Sequence, residues 1–86
     1  MPSLTVTERS GSVCLQLGGV ARGEGTTLQE AADDLIRRLL ALAIAFRSSG
    51  FKVPCEVRAD VEAIDLLHEL GEIAAAGGDI RARVFG

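Results

Sequence analysis

Tryptophan and tyrosine are absent from this 86-residue chain, and three phenylalanines are its only aromatic side chains. A surface that stacks the bases of single-stranded nucleic acid needs aromatic platforms, so that class is excluded, and a sugar site or aromatic cage is disfavoured. Cations are scarce too. One lysine and eight arginines stand against twelve acids, for a formal net charge of −3. Proteins that hold nucleic acid by neutralising phosphates are basic overall, so a nucleic-acid partner is not expected. The longest apolar run is Leu39 to Phe46, well short of the ~20 residues a membrane span needs. Two cysteines, Cys14 and Cys55, make no disulfide framework and fit a reducing compartment. Met1 to Gly11 has no basic start followed by an apolar stretch, so a cytoplasmic location is expected.

What remains is an ordinary globular composition, 48% hydrophobic and 24% charged, in a length that fits one domain over residues 1–86. Leu4 and Val6 alternate with Thr5, Thr7 and Arg9, and Val13, Leu15 and Leu17 alternate with Cys14 and Gln16. With Ser10-Gly11-Ser12 between them, these read as an antiparallel hairpin. Gly18-Gly19 breaks the second strand, and Val20 to Arg22 reads as a short third one. Gly23 and Gly25 read as turn residues ahead of a helix; Glu24 between them would repel a phosphate.

Thr27-Leu28-Gln29-Glu30 is a capping-box sequence. The helix it opens carries Leu28, Ala31, Ala32, Leu35, Ile36 and Leu39 at helical spacing and ends near Ser48-Ser49-Gly50. Phe51 to Arg58 reads as a strand, at an edge because of Pro54. Asp60 is the expected N-cap of a second helix to about Ala76, with Val61, Ile64, Leu67, Leu70 and Ile73 or Ala74 inward. Ile80 to Phe85 reads as a last strand. The expected fold is α/β (α+β), in the order β-β-(β)-α-β-α-β. It is a two-layer sandwich of a four- or five-stranded mixed sheet with two helices on one face.

The most informative pattern lies in the first helix. Its outward face begins as Glu30, Asp33, Asp34, Arg37 and Arg38 and continues as Ala41, Ile44 and Ala45. A helix apolar on every side is covered on every side. One cover is the sheet, and the other is the second helix or another subunit. Ala41, Ile44 and Ala45 are therefore the expected homo-oligomer interface, a dimer in the first instance. Lys52, Arg58, Arg81 and Arg83 point away from the inward sets of their expected strands, and form a candidate contact for an anion or an acidic partner. His68 stands between Asp65 and Glu72 at helical spacing, in an acidic stripe with Glu62 and Glu69. That is read as a solvated face, since no nucleophile accompanies it. The two cysteines lack metal-ligand spacing. No metal, cofactor or catalytic residue is expected.

Gly25-Thr26-Thr27-Leu28-Gln29-Glu30-Ala31, followed by Asp34-Leu35, resembles the Gly-x-Thr-Leu-x-Glu-Ala…Leu stretch of HicB-like antitoxin domains. The resemblance extends to the order of elements as far as residue 58. It implies a truncated ribonuclease-H-like fold and a non-enzymatic, oligomeric protein that works by binding a protein partner. Where that family has Leu-Pro-Gly-Cys, this chain has Leu17-Gly18-Gly19-Val20.

Overall fold

The structure is a computed structural model that describes residues 2–53, 55, 57 and 60–86. Among these, three strands, β1 (Leu4–Arg9), β2 (Ser12–Leu17) and β3 (Ala21–Gly25), form an antiparallel meander in the order β1-β2-β3. Three helices follow, α1 (Leu28–Ser48), α2 (Val61–Ala75) and α3 (Arg81–Phe85). The fold is α+β.

The hairpin forms for a local reason. Ser10 and Gly11 both have positive φ, 37° and 83°, as a two-residue turn matched to the strand twist requires. The register it sets pairs Leu4 with Leu17, Val6 with Leu15 and Glu8 with Val13 on one face. Thr5, Thr7 and Arg9 pair with Gln16, Cys14 and Ser12 on the other. Val13, Leu15 and Leu17 are buried under the helices, while the opposite face is polar.

The expected third strand is present, but it extends to Gly25, and Gly23 and Gly25 are not turn residues. They lie at alternate strand positions facing α1. A β-carbon on Gly23 would sit 2.3 Å from the Ala31 carbonyl oxygen and 2.3 Å from the Leu35 nitrogen. The two glycines let the helix backbone lie directly on the strand.

α1 starts where the capping sequence places it. Thr27 Oγ1 accepts from the Glu30 N–H at 3.1 Å. Glu30 reaches one residue beyond the cap, accepting from the Thr26 N–H (2.9 Å) and hydroxyl (2.7 Å). Those bonds hold its carboxyl below the ordinary value. The helix ends in a Schellman motif. Phe51 N–H donates to the Phe46 carbonyl and Gly50 N–H to that of Arg47. The Phe46 and Phe51 rings meet edge to face, 5.5 Å apart. α2 begins at Asp60, whose Oδ1 accepts from the Ala63 N–H at 2.8 Å. It closes in the same way at Gly77 and Gly78.

Two expected strands are not found. Among the described residues of 51–58 there is no strand: Phe51 takes φ 68° in the helix-ending motif. Pro54, Glu56 and Arg58 lie outside the described residues. Ile80 to Phe85 is helical. Ile80 and Val84 are four apart, a spacing that places both on one buried helix side as readily as on one strand face. Among the described residues the sheet is thus three-stranded and wholly antiparallel, and no fourth or fifth strand makes it mixed. The buried side of α2 is also rotated from expectation. It is Ala63, Leu66, Leu67, Leu70 and Gly71, and Val61 is exposed. Gly71 faces α1 without a steric need for glycine, since an added β-carbon there would lie 3.6 Å from the Ala43 carbonyl oxygen, an ordinary contact.

Candidate interaction surfaces

α1 has 21 residues, about 31 Å at 1.5 Å per residue. Strands of five and six residues span only about 17–20 Å. The helix runs back along β3, with Ala31 and Leu35 over Gly23 and Arg38, Ala41 and Leu42 beside Val20 to Arg22. Its last turns project past the sheet. There α2 takes over as cover: Ala43 and Phe46 are buried, and the Phe46 ring meets His68 edge to face at 4.9 Å.

α2 covers only one side of the overhang. Leu40, Ala41, Ile44 and Ala45 stay exposed, with Ile44 at 51%. The residues expected at an interface therefore form one continuous surface stripe, to which Leu40 adds. Across a shallow groove from Ile44 lie Gly71, Ala74 and Ala75 of α2, so the apolar surface spans two helices.

The acidic start of the same helix is less simple than its spacing suggests. Asp34 is not on the outward face. It is only 9% exposed, and Oδ2 accepts from the Glu24 N–H of β3 at 2.9 Å. Arg37 and Arg38 close on the same carboxylate at 2.6 and 3.1 Å. The Glu24 N–H first, then the Arg37 guanidinium, lower its pKa to about 2. Asp34 thus ties β3 to α1. On the helix wheel it falls with the charged residues, away from the apolar stripe, so its spacing carries no sign of this bond.

Two of the four candidate cations do not lie on a sheet face. Arg81 and Arg83 lie on α3. Arg81 reaches Asp33 of α1 at 2.7 Å, and Arg83 is bonded to Glu69 of α2. That pairing holds the Glu69 carboxyl below its usual range and the Arg83 guanidinium above. Lys52 is exposed in the segment after α1, and Arg58 lies outside the described residues. The physical reason is the helical form of 81–85, which turns both arginines onto helices rather than away from a sheet.

His68 stacks on Phe51 at 4.7 Å as well as meeting Phe46, so its ring closes the aromatic end of the α1–α2 pair. Cys14 lies on the polar face of β2, and Cys55 is exposed rather than inward. Among the described residues no three His, Cys, Asp or Glu side chains gather as a metal site, and no helix is long and apolar enough to cross a membrane. In comparisons with known proteins, no family model, curated protein or solved structure matches this chain.

Proposed function

We propose that this protein is a small non-catalytic module that self-associates through α1 and acts by binding protein, in the manner of an antitoxin. The observation that carries the reading is the stripe of Leu40, Ala41, Ile44 and Ala45, exposed on α1 opposite the buried Leu39, Ala43 and Phe46. A contiguous apolar patch on a small protein marks a contact surface, and the alanines admit close approach of a second helix. An 86-residue chain also has a small core, so burial against a second copy adds to its stability by mass action. The antitoxin-like character rests on the Gly25 to Leu35 resemblance alone. The basic residues support a nucleic-acid or phosphate ligand less well, since Arg81 and Arg83 already have carboxylate partners. Ile44→Asp tests the reading. Sedimentation equilibrium should show half the wild-type mass with circular dichroism unchanged. An unchanged mass contradicts it.

A further inference from the structure

The helix layer stops short of β1. Every residue of this strand is exposed, including Leu4 at 38% and Val6 at 55%, although both stand on the helix-facing side. Its outer edge is open as well. In a two-residue hairpin the pair flanking the turn is hydrogen-bonded, and bonded pairs then alternate along the ladder. Arg9–Ser12, Thr7–Cys14 and Thr5–Gln16 are therefore the bonded pairs, in phase with the 2.9 Å bond from Gly18 N–H to the Ser3 carbonyl. The N–H and C=O groups of Leu4, Val6 and Glu8 point the other way, and no strand among the described residues pairs with them.

Edge strands in folded proteins are guarded by proline, charged side chains, bulges or a covering segment. β1 reads Leu-Thr-Val-Thr-Glu-Arg, with no proline and an unbroken register to β2, and its charges, Glu8 and Arg9, stand only at the hairpin end. We infer that β1 pairs antiparallel with β1 of a second copy of this chain, joining two meanders into one continuous sheet.

One self-complementary register centres on Val6. With Val6 opposite Val6 of the second copy, Leu4 faces Glu8 and Thr5 faces Thr7 on both sides of a two-fold axis. Each outward-facing pair exchanges two backbone bonds, and Thr–Thr pairs are favourable cross-strand neighbours. Like charges never meet. Centring on Glu8 instead would oppose two carboxylates, and centring on Thr5 would set Glu8 against Pro2, which has no N–H to donate. The axis stands perpendicular to the sheet, so both helix layers lie on the same side and Leu4 and Val6 of the two copies cover one another.

This contact is distinct from the α1 surface. A chain with two isologous interfaces closes as a tetramer where their two-fold axes cross at right angles. Sedimentation equilibrium on the full chain separates the two. Val6→Lys places a lysine on an exposed edge position and two facing cations on the axis; it should keep the wild-type circular dichroism and lose half the mass. Val6→Pro removes only an N–H that faces outward and should act alike, which carries the test if the lysine variant is poorly folded. Folded variants at the full wild-type mass overturn the inference. Ile44→Asp should leave a dimer held by β1, and combining it with Val6→Lys should give a monomer. If Ile44→Asp alone already yields a monomer, the β1 contact is refuted. If only the Val6 variants dissociate, the β1 contact stands and the α1 reading fails.

Discussion

Gly23 has no room for a β-carbon, because the atoms it would strike are backbone atoms of α1 rather than a side chain that can turn away. Gly23→Ala must therefore lift the helix off the strand. The expected loss of stability is about 3 kcal/mol, at the upper end for overpacking, measured by urea denaturation; a change within error would contradict the close approach. Asp34 acts at the same junction. Its pKa in the folded protein is lowered from the ordinary 3.8 to about 2. A depressed carboxylate adds stability above its unfolded pKa and loses it as pH falls through the folded value. About 2 kcal/mol should disappear between about pH 4 and pH 2. Asp34→Asn, which keeps an acceptor for the Glu24 N–H, should flatten that part of the acid stability curve and leave the protein less stable at neutral pH. Neither residue's role was visible in its neighbours alone. Glycines at alternate positions read as turn punctuation until a helix is placed over them, and an acid on a charged helix face reads as solvated until a strand N–H arrives beside it.

At the scale of elements, local chemistry was the legible part. The Ser10-Gly11 turn, the Thr27 and Asp60 caps and the glycine-closed helix ends all stand where their side chains place them. Thr27→Ala should cost about 1 kcal/mol, read as a lower melting temperature with the helix otherwise intact. What the pattern misassigned were the segments whose spacing serves two periods. Ile80 and Val84 fit a strand face and a helix face equally, and the helix wins where Arg81 and Arg83 find Asp33 and Glu69. Phe51 and Val53 alternate like a strand, but Phe51 is spent closing α1 against Phe46. The rotation of α2 has a similar origin. Ala63 and Gly71 are weak hydrophobic signals, yet both are buried.

For the whole molecule, the decisive fact is a mismatch of lengths. A helix of about 31 Å laid on strands of about 20 Å must overhang, and the second helix is placed to cover one side of the overhang only. The apolar Leu39 to Phe46 run, conspicuous in the sequence, divides into Leu39, Ala43 and Phe46, which are buried, and Leu40, Ala41, Ile44 and Ala45, which are not. That the sheet alone would not cover this run was legible; that α2 would take half of it was not, because it depends on tertiary placement. Association through an apolar stripe should be nearly independent of ionic strength, unlike contact through charged groups. Sedimentation in low and high salt should return the same mass. The most direct measurement is the absolute mass of the purified chain by light scattering across micromolar concentrations. Self-association through α1 predicts at least twice the 9.0 kDa of the chain, falling by half in Ile44→Asp; a particle of 9.0 kDa throughout, or a mass unchanged in that variant, would contradict it.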